Sequence, residues 1–152
     1  MKRLIPILAF LPLVFPFSAR AQDAPVDSLA LARQYSLWLY EGQVDSLLAH
    51  SNEEMRQSAV AEDTYGRLSA LLAERAGFEI RPVDETWKLR NGRCQYWRRS
   101  EFSDAPEHIL IRWVIDPDGK ISGLGAGPAS QAPPVEAETC AAPATQAPAS
   151  QE

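Results

Sequence analysis

The stretch Arg93-Cys94-Gln95-Tyr96-Trp97-Arg98-Arg99 holds three guanidinium groups beside two aromatic rings. Such a set suits an anionic ligand, with charge supplying attraction and the rings a plane to stack on. The same arginines on a strand can instead pair with Glu79, Glu85 and Glu101 on neighbouring strands, which needs no ligand. Asp84, Glu85 and His108 are further candidates, as general acid or base if they face a cavity. Large rings are abundant: Tyr35, Trp38, Tyr40, Tyr65, Trp87, Tyr96 and Trp113. Tyr35, Trp38, Tyr65, Trp87, Tyr96 and Trp113 either wall a ligand pocket or fill a core.

Most reaction signatures are missing. The chain has no Gly-x-Ser-x-Gly elbow, no His-Glu-x-x-His site, no Walker loop and no Cys-x-x-Cys pair. His50 and His108 stand far apart without the spacing of metal ligands. Gly123-Leu124-Gly125-Ala126-Gly127 is followed by Pro128 and not by a helix, so nothing there presents N–H groups to a phosphate. Its glycines suit a strand that twists or ends. No catalytic residue, metal set or cofactor is implied.

Cys94 and Cys140 are the only cysteines. In an oxidising compartment they can form a disulfide, and closing a loop of this length contributes about 4 kcal/mol in the chain-entropy model. Otherwise Cys94 is a small buried hydrophobe and Cys140 a free thiol. Thiol counting under denaturing, non-reducing conditions separates the two.

The compartment is read from residues 1–21. Lys2 and Arg3 precede an apolar run, Leu4 to Phe17, and Ala19-Arg20-Ala21 fits a signal-peptidase site. The run is too short to span a bilayer, and Pro6, Pro12 and Pro16 disfavour a helix there. Secretion or transfer to a periplasm is expected, with no membrane span after cleavage. Removing Lys2, Arg3 and Arg20 from the 15 basic residues leaves 12 against 20 acidic, a net charge near −8. That balance offers no footprint for nucleic acid.

Helices come first in the elements that must position these groups. Pro25 and Asp27 introduce one that runs to about Glu41, with Leu31, Tyr35, Trp38 and Leu39 on one stripe. Gly42 ends it, and Val44 to His50 forms a short second helix. Ser51 and Glu54 read as a capping box for a third, whose pattern continues through Val60, Ala61, Tyr65, Leu68, Leu71 and Leu72 to Gly77. From Phe78 the period becomes alternating. Strands are expected at 78–90 (bent at Pro82), 93–102, 108–115 and 120–126. Asn91-Gly92 gives a type I′ turn and Asp116-Pro117-Asp118-Gly119 the last turn. Ile109, Ile111, Trp113 and Ile115 share the face that packs on the helices. The opposite face carries His108, Leu110, Arg112 and Val114, with Trp97 and Arg99 on the neighbouring strand, and with no helices to cover it this side is expected to be solvated or paired with another molecule. Residues 128–152 hold five prolines and eight alanines with no Lys, Arg or aromatic, and are expected to be a disordered tail.

The expected fold is therefore α+β: N-terminal helices on one face of a curved four-stranded antiparallel meander, over residues 25–127. The order of elements resembles the nuclear transport factor 2-like cone, the cystatin and ketosteroid-isomerase-like superfamily. More narrowly, Leu39-Tyr40-Glu41-Gly42-Gln43-Val44-Asp45-Ser46-Leu47-Leu48, Leu68 to Phe78, and Asp118-Gly119-Lys120-Ile121-Ser122-Gly123-Leu124 are similar to the bacterial family called domain of unknown function 3887. That resemblance implies a scaffold able to hold a small ligand, to dimerise, or to assist a separate hydrolase. It transfers no catalytic residue.

The chain is accordingly expected to be an exported, non-catalytic binding or assembly module. It would form a homodimer through Trp97, Arg99, Leu110, Arg112 and Val114. The alternatives are a small-molecule isomerase or hydratase of the cone class, and an accessory subunit of a separate hydrolase.

Overall fold

The computed structural model describes residues 27–144; the leader 1–21 and the end of the tail, 145–152, lie outside the described residues. The described residues are α+β, four α-helices followed by four antiparallel strands in the order β1-β2-β3-β4. Among the described residues no helix is long and apolar enough to cross a membrane.

Helix α1 spans Ser28–Tyr40. Asp27 caps it, its Oδ1 accepting from the Leu29 and Ala30 amides at 2.9 and 3.3 Å. Ala32, Tyr35, Ser36 and Leu39 form its buried stripe. Gly42 takes φ +68° and lets Gln43 N–H reach back to the Trp38 carbonyl, closing the helix. Helix α2 (Val44–Ala49) buries Leu47.

The third helix differs from its expected form in two ways. Asn52 and not Ser51 is the cap, because the Ser51 hydroxyl is engaged with the Leu47 carbonyl and the Tyr65 hydroxyl, at 2.8 and 2.7 Å. The helix also breaks. Asp63 adopts a left-handed φ of 50°, dividing it into α3 (Glu53–Glu62) and α4 (Thr64–Arg75). The short Asp side chain tolerates that conformation, and the apolar period ran on across the break without marking it.

Strand β1 (Glu79–Arg90) carries register irregularities on both sides of Pro82, and Asn91 and Gly92 turn it into β2 (Arg93–Phe102), both with positive φ. Strands β3 (Ile109–Ile115) and β4 (Ile121–Pro128) complete the meander. Tyr35, Tyr65, Tyr96, Leu39, Leu47, Ile111, Trp113 and Ile121 fill the layer between helices and sheet. Backbone bonds also join the layers: Asn52 N–H donates to the Ile121 carbonyl and Ile121 N–H to that of His50, both at 2.8 Å.

Residues 128–144 depart from the disordered tail expected of their composition. After a 3₁₀ turn at Ala129–Gln131, the segment leaves β4 at one edge of the sheet and reaches β1 at the other. There Leu89 N–H donates to the Ala137 carbonyl at 3.0 Å and Cys140 N–H to that of Trp87 at 3.0 Å. Cys94 and Cys140 form a disulfide, with Cα atoms 6.0 Å apart. The physical reason is that edge pairing, one covalent link and the cover of apolar side chains on the sheet can hold a segment with few apolar side chains of its own.

Gly77, at φ +78° where α4 turns into β1, also lacks room for a side chain: a Cβ would collide with Ser103 Oγ, which holds the Phe78 amide. Gly77→Ala is expected to cost about 2 kcal/mol. Urea unfolding should show a lower midpoint at unchanged slope.

Candidate functional site

The helix side of the sheet is closed around its charges. Arg98 is only 8% exposed. Its Nε and one terminal nitrogen reach both oxygens of Glu79 at 2.9 Å, and its other nitrogen bonds Glu85. Glu85 also accepts from Arg33 of α1 and from the Tyr96 hydroxyl. Burial alone would raise the Glu85 carboxyl, but the bonds from Arg33 and Tyr96 and the charge of Arg98 outweigh it and hold it at about 2. The Tyr96 hydroxyl is pushed up by burial and then by Glu85. Burial also raises Tyr40, whose hydroxyl has no partner in this cluster.

Of the expected pocket rings, Tyr35, Tyr65, Tyr96 and Trp113 are fully buried in the core, while Trp38 and Trp87 pack on it half-buried. The Trp113 indole donates to Ser36 Oγ at 2.9 Å, and the Tyr35 hydroxyl to the Gly119 carbonyl at 2.5 Å. The surface clefts along α4, at the end of β3 and beside Phe78 are lined by none of these six rings. Four of the six belong to the buried cluster and the other two pack against it. Glu85 is likewise a paired charge in place of a free base. Asp84 sits on the other side of the sheet, and His108 at the entrance to β3, where its carbonyl holds the Ala129 amide. Among the described residues no cluster of three metal-ligating groups occurs.

The other side of the sheet has a different chemistry. Strand alternation places Asp84, Lys88 and Arg90 of β1, Arg93, Gln95, Trp97 and Arg99 of β2, and Leu110, Arg112 and Val114 of β3 on it, with Asp84 opposite Arg99 in register. The Trp97 ring has Lys88 Nζ 5.4 Å and Arg112 Cζ 5.3 Å from its centroid. Arg112 lies flat across β4 because Gly125 opposes it; a Cβ there would collide with the guanidinium. Arg90, Arg99 and Arg112 have no carboxylate partner among the described residues, and burial followed by the charge of Arg90 lowers the Arg112 group. The Arg90 Nε and the Trp97 indole N–H are buried without an acceptor.

This face is not bare. Trp97 and Leu110 are 4% and 7% exposed, because residues 129–138 run over them. The segment leaves a cavity of about 110 Å³ bounded by Asp84, Lys88, Trp97, Arg99, Leu110 and Ala132. It brings two acids: Glu138 pairs with Lys88 at 2.5 Å, and the Glu136 carboxylate accepts from the Gly92 amide. The expected interface residues are therefore together on one surface, but Trp97 and Leu110 are covered by the chain itself. Lys88 and Arg90, missed among the site candidates, were readable from alternation; Glu136 and Glu138 carried no such signal.

The chain matches no protein-family model, no curated protein and no solved structure.

The paired Glu85 sets a pH dependence. In the folded chain it stays ionised down to about 2, whereas in the unfolded chain it takes its proton near 4.5. Its contribution, on the order of 2 kcal/mol, is therefore complete above 4.5 and drains as pH falls toward 2. Glu85→Gln is expected to lose about 3 kcal/mol at neutral pH, by leaving Arg98 and Arg33 underpaired, and to flatten this acid slope. Thermal unfolding between pH 7 and the acid limit reads both effects.

Proposed function

We propose that the protein is an exported, non-catalytic binding module that presents the cationic, aromatic side of its sheet to an anionic polypeptide partner. The observation that carries this reading is the contrast between the two sides. On the helix side every charge of the Arg98 cluster is matched, and the space is filled by rings. On the far side Arg90, Arg99 and Arg112 make no ion pair among the described residues, and Lys88 and Arg112 lie over the Trp97 ring. Surplus positive charge beside an aromatic plane suits recognition of acidic groups.

Export rests on the leader pattern in residues 1–21, and the Cys94–Cys140 bond accords with it. The succession of helices and then a four-strand meander supports kinship with the nuclear transport factor 2-like folds. Self-association through Trp97 and Leu110 is left out of the proposal, since the chain's own segment lies over both. The role of accessory subunit to a hydrolase would use the same face for a protein partner.

Nuclear magnetic resonance on the Cys94→Ser/Cys140→Ser chain, in which residues 129–140 are no longer tied over the face, tests the reading. With a short oligoglutamate as probe, the Trp97 indole and the Arg99 and Arg112 side chains should shift in a saturable way that weakens with salt. Shifts confined to Trp113 and Tyr35 on adding small apolar carbonyl compounds would place binding inside the helix–sheet layer and favour the enzyme class instead.

A further inference from the structure

We infer that residues 129–140 are a tethered occupant of the cationic face, latched by the Cys94–Cys140 disulfide, and that reduction of this bond admits an extended acidic segment of another chain in their place. The inference rests on the binding reading above and names both the partner's chemistry and its control.

The segment's own contacts define that chemistry. It joins the outer edge of β1 as an extra strand would, through Leu89 to Ala137 and Trp87 to Cys140. Main-chain pairing of this kind accepts many sequences, so specificity must come from side chains on the sheet. The segment supplies Glu136 and Glu138 and no cation between 128 and 144. Its two acids serve Lys88 and the Gly92 amide, leaving Arg90, Arg99 and Arg112 unmatched. An incoming strand richer in carboxylates satisfies more of the face than the tethered one does.

Several features make the disulfide a latch in place of a staple of the core. It joins the segment to β2 and not two core elements to each other, and neither cysteine belongs to the buried cluster between helices and sheet. Apart from its cover of Trp97 and Leu110, the segment is held by edge hydrogen bonds, by single bonds from Gly92 to Glu136, from Ser130 to Glu107 and from Ser28 to Pro143, and by an ion pair whose Glu138 is 75% exposed. Both cysteines are half-buried, within reach of a thiolate. A dithiol supplies the chemistry. One thiolate attacks a sulfur of the bond, the other cysteine departs as a thiolate that takes a proton, and the second thiol resolves the mixed disulfide. The pair gains two electrons and two protons, and the dithiol becomes a disulfide.

The test compares oxidised and dithiothreitol-reduced full chain. The probe is a labelled peptide of residues 132–142 carrying Cys140→Ser, followed by fluorescence anisotropy. Reduction should tighten its binding at least ~30-fold, the lower range of what a disulfide adds to ring closure. The Cys94→Ser/Cys140→Ser chain should bind like the reduced form with or without reductant, and a peptide with Glu136→Lys and Glu138→Lys should bind neither. Hydrogen exchange should quicken at Leu89 and Cys140 on reduction while Ile111 and Trp113 stay protected. Equal affinity for oxidised and reduced chain, with the double-serine chain still binding, would overturn the latch and leave the binding reading standing. Absence of binding to the double-serine chain would overturn the binding reading itself. Loss of protection at Trp113 on reduction would make the bond a core staple and end the inference.

Discussion

Arg98 places a full positive charge beneath the helices, where water cannot solvate it, and the surrounding structure is arranged to neutralise it. A guanidinium at that depth is tolerated only if its donors are used and its charge is matched. Glu79 and Glu85 supply the match from β1, one on each side of the irregular stretch at Pro82. Glu85 then draws in Arg33, so the same network ties β2 to β1 and β1 to α1. Tyr96 completes it with a hydroxyl. The position of the first strand relative to the helices thus follows from one buried charge as much as from packing of rings. Apolar contacts slide with small cost, whereas a bidentate ion pair fixes direction and register.

The sequence was legible where local chemistry decided the outcome. Asn91-Gly92, Gly77 and Gly42 marked turns and helix ends through their positive φ, and the alternation of Ile109, Ile111, Trp113 and Ile115 named the buried face of β3. The four strands fell close to their expected bounds. It was illegible where the deciding partner was distant. Ser51 carries the pattern of a helix cap, yet its hydroxyl meets Tyr65, fourteen residues on. Asp63 interrupts a helix whose apolar period gives no sign of it. The arginine-rich strand split between its two readings by parity alone: Arg98 turned inward to carboxylates and Arg99 outward without one. Residues 128–144 were least legible, since edge pairing and a disulfide leave no trace in hydrophobic periodicity.

The two sides of the sheet therefore obey different rules, although they share the same strands. Toward the helices, charge is scarce, buried and matched. Away from them, charge is plentiful and only partly matched, and the covering segment is mostly small residues and proline, with Gln131, Val135, Thr139 and two acids among them. Such a cover adds little cohesion of its own: Val135 is its one branched aliphatic side chain, and it has no aromatic ring to interlock with Trp97 and Leu110. The cluster of buried rings thus lies on the helix side alone, while Trp97 and Leu110 are buried beneath the segment on the other.

The pairing of Cys94 with Cys140 also bears on how the chain matures. With two cysteines in the sequence, only one intramolecular bridge can form, so no mispaired isomer competes with it. The bridge must nevertheless wait until the polypeptide downstream of the sheet has been made and has come round its edge. A simple oxidant then suffices, without shuffling by an isomerase.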